Sequence, residues 1–547
     1  MIIMKLNKKL AQSALKAHHE ILSKRSNKEK RSRHRLKLKK WWDKELNWIH
    51  VRLNNAYLEY RNSGWRQNER DTYRTIKKEF RARKRFNQKL KRDHTLRMIE
   101  DLFNNSKENF WRKIARMERK HITINLDVEK IKNEYEKIFT VSNLSNDEER
   151  INASKVEKFV HDNAGKTFKS STNSSLIRLM LNGLSMNKAI GIRGISHEML
   201  KYNTSNRLPV VLSKFFDLLT NHQITPKLFN ISIIKPIIKD VNKPNDDINS
   251  IRLVAISDAF ANLYERLLLH RIKSKHRDHE KQFGFKANSS CNHAAYVLKV
   301  AVNLAKCRGQ RLYACALDAI KAFDKVSRDK LWLKMNDSGV DPEITLAVLR
   351  YYKLSVMLVQ LEDQFSSSFI SKLGVRQGGV ASPKLFSIYI EELANRIENT
   401  MLGIPVYHTI INIMMYADDI ILVATNKDEL QKQLNVVGHL GIEYGIKFNQ
   451  AKCELLVFNK NLKRSTHEAN LDMNTKPVTL NGIEIPEVRS FRYLGMIFTE
   501  DCKSTDHLTK RRKAAFAMLS RIEKLGFNNG CMKPRIIGNM LKTYIRT

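Results

Sequence analysis

Three aspartates are the residues of this chain best suited to do chemistry. Asp418 and Asp419 stand side by side within an apolar run over 410–423, and Asp318 ends a second apolar run over 312–317. Carboxylates beside so much apolar surface are costly to bury unless a cation neutralises them. Hard oxygen ligands suit Mg²⁺, and two such ions about 4 Å apart can activate a hydroxyl group and stabilise a departing pyrophosphate. The pattern therefore predicts a metal-dependent phosphoryl-transfer site.

A β-hairpin and a separate strand must position these acids. Strand-like residues on both sides of Tyr416-Ala417 predict a β-hairpin with Asp418 and Asp419 at its tip, and the second run predicts a strand that delivers Asp318 beside them. For the pair alone, an exposed turn whose acids do nothing is the competing interpretation, and the third acid favours a site. Helix-forming residues follow Asp318, so Asp324 is interpreted as a helix-start residue rather than a metal ligand.

The composition indicates a polyanionic partner. The 547 residues contain 98 Lys and Arg against 56 Asp and Glu, a formal net charge of +42. Such an excess favours nucleic acid, with an anionic membrane as the rival partner. The sequence has no apolar run long enough to cross a bilayer. Its six cysteines lack the spacing of a disulfide framework or a zinc knuckle. We therefore expect an intracellular protein of the nucleus or cytoplasm, neither secreted nor bound to a membrane.

The positive charge is concentrated near the N-terminus. Residues 1–120 hold 36 Lys and Arg against 13 Asp and Glu, a net of +23, and five of the six tryptophans. Within this segment the spacing predicts a helix over 73–90. Its buried face should consist of Tyr73, Ile76, Phe80, Ala82, Phe86 and Leu90, with only Arg83 intruding. The other half of the helix is basic, and we expect it to contact the phosphates of RNA or DNA.

Short motifs surround these residues in a fixed order along the chain. They are LNGLSMNKAIGIRGISHEML (181–200), IIKPIIKD (233–240), QFGFK (282–286), LDAIKAFDKV (317–326), GVRQGGVASPKLF (374–386), YADD (416–419), GIKFNQAKCELLVF (445–458) and FRYLG (491–495). Each motif is a weak or moderate signal alone, but their order resembles that of the reverse transcriptases of non-LTR (LINE-type) retrotransposons, most of all the jockey-like group. The basic segment, with Trp41-Trp42-Asp43 and Asn109-Phe110-Trp111, also resembles the stretch that these elements carry ahead of the polymerase.

The resemblance implies a role for several sets of residues. The catalytic residues, which would hold two Mg²⁺ ions (or Mn²⁺ in their place), are Asp318, Asp418 and Asp419. The nucleotide-binding residues would be Lys239, Arg252, Phe323, Gln377, Gly378 and Lys452, with Lys235 as the alternative to Lys239. The primer grip would be Phe491, Tyr493, Leu494 and Gly495. A ring at Phe323 would clash with a 2′-hydroxyl and favour deoxynucleotides; a core phenylalanine is the competing interpretation.

The implied fold is α+β. It is a right-hand polymerase with fingers, a palm containing an antiparallel sheet, and a partial helical thumb, preceded by a basic all-helical N-terminal extension. The predicted domains are the extension (1–125), a linker (126–180), fingers and palm (181–500) and a shortened thumb (501–547). An endonuclease region is expected to be lacking. The implied partners are an RNA template, a DNA primer or target, and dNTPs; the oligomeric state is left open.

The chain also departs from the family pattern. Arg193 stands where the opening motif usually has Asp, and Arg252-Leu253-Val254 stands where Arg-Pro-Ile is usual. Ala381 and Lys384 replace residues that are commonly leucine. None of these departures removes a predicted metal ligand, so an active polymerase is the favoured hypothesis. Two alternatives stay open: a non-catalytic RNA-binding remnant of a decayed element, and a group II intron-encoded protein.

Overall fold

The computed structural model describes residues 41–118, 124, 126–239, 247–460, 476–524 and 534–545. The predicted N-terminal extension is thus described only from residue 41, and Asp240 of the IIKPIIKD motif lies outside the described residues. The chain divides into two compact units. One contains the described residues between Ile122 and Asp506, and the other those between Arg25 and His121 together with those between His507 and Thr547.

Helices form most of the regular structure. They are α1 (Lys44–Asn62), α2 (Gln67–Asn105), α3 (Lys107–Glu118), α4 (Val128–Thr140), α5 (Asn146–Asp162), α6 (Ser174–Asn182), α7 (His197–Lys201), α8 (Arg207–Asn221), α9 (Ala259–Lys275), α10 (Cys291–Cys307), α11 (Arg328–Asp337), α12 (Pro342–Tyr352), α13 (Ser382–Asn399), α14 (Lys427–Tyr444), α15 (Thr505–Lys524) and α16 (Pro534–Ile545). Short 3₁₀ turns lie at Lys227–Asn230, Ile248–Ser250 and Gln450–Lys452.

The strands belong to the first unit. They are β1 (Ile231–Ile238), β2 (Ile251–Ser257), β3 (Leu312–Asp318), β4 (Ser355–Leu361), β5 (Gln364–Phe365), β6 (Phe369–Ser371), β7 (Ile404–Val406), β8 (Thr409–Ile411), β9 (Ile413–Tyr416), β10 (Asp419–Ala424), β11 (Glu454–Phe458), β12 (Thr479–Leu480), β13 (Ile483–Glu484), β14 (Ser490–Tyr493) and β15 (Met496–Thr499). The predicted mixture of helices and sheets is confirmed.

The central sheet has the strand order β11-β3-β10-β9, and every pair in it is antiparallel. Alternate side chains of β10 enter two different cores, because successive residues of a strand point to opposite faces. Ile420 and Leu422 pack into the larger core with helices α9, α11, α13 and α14. Ile421 and Val423 pack on the other face with α10 and β14. The sheet is thus packed on both faces, and this packing supports the strands that end at the acids.

A second sheet has the order β2-β1-β4-β5, with β6 also paired to β4. Here β1 and β4 run parallel, and the other pairs are antiparallel. Helix α4 covers this sheet: Ile131, Tyr135 and Phe139 pack with Ile251 and Met357 in one buried cluster. Part of the segment predicted as a linker therefore belongs to the core of this sheet. The four-domain division itself stays a prediction.

In the other unit, α1 and α2 lie side by side. Asp43 accepts a hydrogen bond from the Leu46 amide at 2.7 Å as the N-cap of α1, and its carboxylate also pairs with Arg83 of α2 at 2.9 Å. A small core joins Leu96, Phe110 and Ile536 of α2, α3 and α16. The C-terminal helix is therefore part of the same compact unit as the N-terminal helices.

The predicted buried face of the 73–90 helix is only partly correct. Tyr73, Ile76 and Phe80 are half-buried, but Ala82, Phe86 and Leu90 are exposed, and the latter two keep about half of their surface open (53% and 54%). The buried face of α2 instead continues through Arg83, which pairs with Asp43 and Glu45 of α1. An ion pair between the helices thus turns a charged residue inward.

Among the described residues, no helix is both long and apolar enough to span a membrane. The five cysteines that the structure describes are all free thiols.

Candidate active site

The predicted hairpin is present. Strand β9 ends at Tyr416 and β10 begins at Asp419, and these two residues are paired across the hairpin. Ala417 and Asp418 form the two-residue turn between them. Ala417 has a φ of +59° at the first central position, as the preferred two-residue hairpin turns require. This conformation is uncommon for a residue with a Cβ, so the surroundings must hold the turn that carries the acids.

The third acid lies where the sequence predicted it. Asp318 is the last residue of β3 and is directly opposite Asp419 in the register of β3 and β10. Residues directly opposite on antiparallel strands have Cβ atoms about 5 Å apart. The central strand and the hairpin therefore bring the three aspartates together at one end of the central strands.

Burial and neighbouring negative charge raise the pKa of two of the acids. Asp419 is open along one side, but the protein packed around the rest of its carboxyl and the charges of Asp418 and Asp318 raise its pKa to about 6. Burial and the charge of Asp318 also raise the pKa of Asp418, and Arg252 opposes this shift. Burial and the neighbouring carboxylates thus disfavour the charged form of both acids, and a bound cation would favour it.

A cavity of about 620 Å³ opens beside these acids. Seven of the predicted site residues line it, namely Asp318, Asp418, Lys239, Arg252, Phe323, Gln377 and Lys452. Asp419 and Gly378 are next to residues of this lining but are not part of it. Cavities that take small ligands commonly have volumes of about 300–1,000 Å³, so this one is large enough for a nucleotide.

Four cations line the cavity: Lys239, Arg252, Lys321 and Lys452. Partial burial and the neighbouring charge of Arg252 lower the pKa of Lys239. Of the two lysines that the sequence left open, Lys239 lines the cavity, whereas Lys235 projects from β1 outside it. The Lys452 ammonium lies 3.5 Å from the carboxylate of Asp318. A polyanionic ligand in this cavity would meet positive charge on several sides.

Two further predicted residues shape the walls. The ring of Phe323 stacks on Phe386 with a centroid separation of 4.3 Å, and Phe285 approaches its edge at 6.2 Å. Gly378 adopts a φ of +108°, and a Cβ added to it would lie 2.8 Å from the carbonyl oxygen of Ala255. Only glycine therefore lets this loop approach β2, where the Ala255 amide donates to the carbonyl of Gln377 at 2.7 Å.

The predicted primer grip lies on a separate hairpin. Strands β14 and β15 are joined by Leu494 and Gly495, whose φ values of +47° and +87° suit a two-residue turn. Phe491 and Tyr493 are buried in the core on one face of the central sheet. Burial, together with the nearby charge of Asp419, raises the pKa of the Tyr493 phenol. This hairpin therefore approaches the aspartates without lining the cavity.

Within the described residues, no group of three or more Asp, Glu, His or Cys side chains has the arrangement of a ready metal site. The Asp318 carboxylate instead pairs with the Lys452 ammonium at 3.5 Å. The donor set still fits a hard divalent cation, since it offers carboxylate oxygens. A cation there would also offset the burial and the neighbouring charges that raise the pKa values of Asp418 and Asp419.

Comparison with known proteins finds a family model that matches part of the chain. Residues 241–498 match the family model described as reverse transcriptase (RNA-dependent DNA polymerase). This chain contains a reverse transcriptase domain. The predicted fold class, an α+β polymerase domain with a helical N-terminal region, is confirmed with it.

Several curated proteins are similar to part of this chain. The chain is 24% identical over 327 residues to the RNA-directed DNA polymerase from mobile element jockey of Drosophila funebris, covering 57% of this chain and 33% of the relative. It is 22% identical over 364 residues to the probable RNA-directed DNA polymerase from transposon BS of Drosophila melanogaster, covering 63% and 38%. A polyprotein from the type-2 retrotransposable element R2DM of that species is 23% identical over 251 residues, covering 45% and 23%. The predicted resemblance to jockey-like elements is confirmed, and the chain spans 23% to 38% of the length of these curated relatives.

The reverse transcriptase domain also contains a buried acid, Asp324, whose predicted role at the start of a helix is wrong. Asp324 does not start a helix, because α11 begins at Arg328 after a turn in which Lys321 has a φ of +48°. Asp324 instead lines the cavity, is 7% exposed, and accepts a hydrogen bond from the side-chain amide of Gln377 at 2.8 Å. Lys321 and Asn449 also line the cavity and were missed, although both lie within the recognised motifs.

Replacing Asp324 should reveal the cost of its buried charge. Burial raises its pKa from 3.8 to about 6 despite the nearby lysines. An acid with a raised pKa stabilises the folded state fully below its unfolded pKa and loses that contribution as the pH rises through its folded pKa. Asp324→Asn removes the charge and keeps the acceptor for Gln377. We expect the free energy of unfolding of this variant, relative to the wild type, to be higher at pH 8 than at pH 4 by on the order of 2–3 kcal/mol.

Urea unfolding at pH 4, 6 and 8 measures this difference. The matched control is Asp363→Asn, which changes an exposed aspartate in the turn after β4 and should leave the pH dependence of stability unchanged. A difference between Asp324→Asn and the wild type that stays constant from pH 4 to pH 8 would contradict the raised pKa.

Two charged residues that depart from the expected motifs have local partners. Arg193 is buried, and its guanidinium pairs with the carboxylate of Asp258, the N-cap of α9, including an Nε contact at 2.7 Å. Lys384 is also buried, and its ammonium lies 2.6 Å from Asp278 and 2.8 Å from His276 Nδ1. Each unusual charge is therefore neutralised within the fold, away from the cavity.

Proposed function

We propose that this chain is an RNA-directed DNA polymerase that adds deoxynucleotides to the 3′-end of a DNA primer on an RNA template. The observation that carries the proposal is the cavity beside Asp318 and Asp418, where acids and cations from distant parts of the chain converge. Asp318 and Asp418 lie at the hairpin, and four cations line the same cavity. This combination suits a ligand with an anionic tail and a reacting centre near the acids.

In the proposed reaction the primer 3′-hydroxyl loses its proton to water as its oxygen bonds to the α-phosphorus. The bond from the α-phosphorus to the oxygen that bridges to the β-phosphate breaks, and pyrophosphate leaves. Arg252, Lys239 and Lys452 would neutralise the triphosphate, which otherwise repels the aspartates. Because Lys452 already pairs with Asp318 at 3.5 Å, it would exchange that carboxylate for phosphate oxygens when a nucleotide enters. Lys321, on the same wall, would add to the attraction.

Asp318, Asp418 and Asp419 are the proposed ligands of two Mg²⁺ ions, or of Mn²⁺ in their place. When bound, these ions would supply charge neutralisation at the attacking and leaving oxygens. The contribution of the chain is to hold three carboxylates at the edge of a sheet that is packed on both faces. Burial and neighbouring carboxylates raise the pKa values of Asp418 and Asp419, and a divalent cation would offset both effects.

The remaining predicted residues would position the substrates. Phe323 would lie against the sugar of the incoming nucleotide, and Gln377 with Gly378 would lie beside the base pair being formed. The β14–β15 hairpin (Ser490–Tyr493 and Met496–Thr499), with Phe491, Tyr493, Leu494 and Gly495, would hold the primer end near Asp419. These roles match the places of the residues around one cavity and the hairpin beside it.

The nucleic acid partners are proposed from charge. Helix α2 exposes a row of basic residues, among them Arg74, Lys78, Arg81, Arg85 and Lys89. Such a row suits the phosphates of RNA, and phosphate contacts of this kind weaken steeply as salt rises. We propose that the N-terminal extension (1–125) binds RNA, that fingers and palm occupy 181–500 after a linker (126–180), and that 501–547 acts as a thumb.

Primer extension tests the proposal. The purified chain is given a labelled oligo(dT) primer on poly(rA), dTTP and Mg²⁺, beside matched reactions without template and with poly(dA). We expect the primer to lengthen on poly(rA) and not without a template. If the chain binds poly(rA) but never extends the primer, it is a non-catalytic RNA-binding protein and the proposed activity is wrong.

A further inference from the structure

Gln282 is buried against the turn that carries the aspartates. Its side chain is 1% exposed, and its carbonyl oxygen accepts hydrogen bonds from the amides of Gly284 at 2.8 Å and Ala417 at 3.1 Å. Ala417 is the residue with the left-handed φ of +59°. One side chain thus satisfies an amide in the middle of the hairpin turn, from a segment about 130 residues away in the sequence.

The backbone around Gln282 is bonded to the same hairpin. The Phe283 amide donates to the carbonyl of Met415 at 2.8 Å, and the Met415 amide donates to the carbonyl of Lys281 at 2.9 Å. This short parallel bridge extends the central sheet beyond β9. The arrangement fixes the position of the Gln282 side chain, because the segment that bears it is held to the strand leading into the turn.

Gly284 lets this segment lie against the turn. A Cβ added at that position would lie 2.5 Å from the Ala417 nitrogen and 2.9 Å from the carbonyl carbon of Tyr416, closer than such contacts normally occur. The contact is to backbone, which cannot move aside without changing the turn. Gln282 and Gly284 are therefore both in close contact with the backbone of the turn.

A hydrogen bond to the amide of Ala417 favours the conformation in which that amide points at Gln282. Buried backbone amides need a partner, and a left-handed φ is uncommon at a residue with a Cβ. Without the acceptor, the turn could relax toward conformations in which Asp418 and Asp419 project differently. The Gln282 amide nitrogen has no hydrogen-bond partner among the described residues, so the side chain acts on the turn through its oxygen alone.

We propose that Gln282 is a positioning residue for the reaction, which sets the directions of Asp418 and Asp419 by holding the amide of Ala417. The kinetic part of this inference rests on the proposed polymerase activity. A buried residue that only adds stability would not affect the chemical step. If Gln282 positions the aspartates, loss of its acceptor oxygen should slow the chemical step and leave nucleotide binding unchanged.

The test compares Gln282→Met, which keeps the size and loses the acceptor, with Gln282→Glu, which keeps an acceptor oxygen. The matched control is Gln433→Met. Gln433 is also fully buried and donates to the carbonyl of Val423 on β10 at 3.1 Å, but it does not touch the turn. Hydrogen–deuterium exchange of a peptide over 413–420 reports the turn directly, and primer extension gives kcat and KM for dTTP.

We expect Gln282→Met to speed exchange in the 413–420 peptide and to lower kcat by about 10- to 100-fold, with KM for dTTP unchanged, because small misplacements of catalytic groups have effects of this size. Gln282→Glu should restore the protection of the turn and recover kcat relative to Gln282→Met. Gln433→Met should alter neither the exchange of this peptide nor kcat.

Three results would overturn the inference. They are unchanged exchange in Gln282→Met, faster exchange with unchanged kcat, and equal losses of kcat in Gln282→Met and Gln433→Met. If the wild-type chain does not extend a primer at all, the proposed function fails separately. The exchange comparison then still decides whether Gln282 holds the turn.

Discussion

Replacing Asp419 with asparagine should lower the rate of primer extension by about 1,000-fold, and Asp318→Asn should have an effect of the same order. The carboxylates are proposed to hold the cations that neutralise charge at the reacting phosphate. Stabilisation of this kind contributes several kcal/mol, and each ~1.4 kcal/mol changes the rate tenfold. The measurement is single-nucleotide addition to oligo(dT) on poly(rA), with the variant and the wild type at the same Mg²⁺ concentration.

The electrostatics of the site separate this loss from unfolding. The pKa of Asp419 is raised to about 6 because its charge is unfavourable in the folded protein. Removing that charge should therefore not lower the melting temperature at pH 8. The matched control is Asp363→Asn, an exposed aspartate after β4 that should retain the wild-type rate. An Asp419→Asn protein that keeps more than about a tenth of the wild-type rate would contradict the proposed role, since it would retain nearly all of the stabilisation.

The local elements of the site could be predicted because their signals are local. Apolar runs on both sides of Tyr416-Ala417 specify a hairpin, and the apolar run before Asp318 specifies a strand. The sequence motifs then indicated which distant segments meet. The register that sets Asp318 opposite Asp419 could not be predicted, because it depends on the packing of two strands that are 100 residues apart.

In the turn after Asp318, long-range contacts override the local helix propensity. Residues 319–325 contain good helix formers, yet the Ile320 amide donates to the carbonyl of Lys447 at 2.8 Å, and Ala319 forms a bridge with Phe448. These long-range bonds hold the segment in a turn and direct Asp324 into the cavity. Propensity is a weak guide wherever tertiary contacts satisfy the backbone.

The error at the 73–90 helix has a related cause. Hydrophobic spacing alone placed Phe86 and Leu90 inside, but the neighbouring helix offers Asp43 and Glu45 to Arg83. An ion pair at the contact therefore competes with apolar side chains for the inner face. Single-helix periodicity contains no information about such a partner, which becomes visible only when both helices are present.

Replacing Phe323 with alanine should relax the choice of sugar. The ring lines the cavity and cannot easily retreat, because Phe386 stacks on it at 4.3 Å and Phe285 meets its edge at 6.2 Å. A 2′-hydroxyl on the incoming nucleotide would therefore meet a fixed wall. In Phe323→Ala we expect the preference for dTTP over UTP, measured as the ratio of kcat/KM values, to fall by about 100-fold, the scale on which apolar pockets discriminate by size.

Phe285→Ala is the matched control for this experiment, because it removes a ring that touches Phe323 but does not line the cavity. Its ratio should change much less than that of Phe323→Ala, because the closer stack on Phe386 at 4.3 Å still holds the Phe323 ring. Equal changes in the two variants would indicate that the position of the ring, rather than its presence, sets selectivity. An unchanged ratio in Phe323→Ala, with extension of dTTP intact, would favour the other interpretation of Phe323, that of a residue that serves only the core.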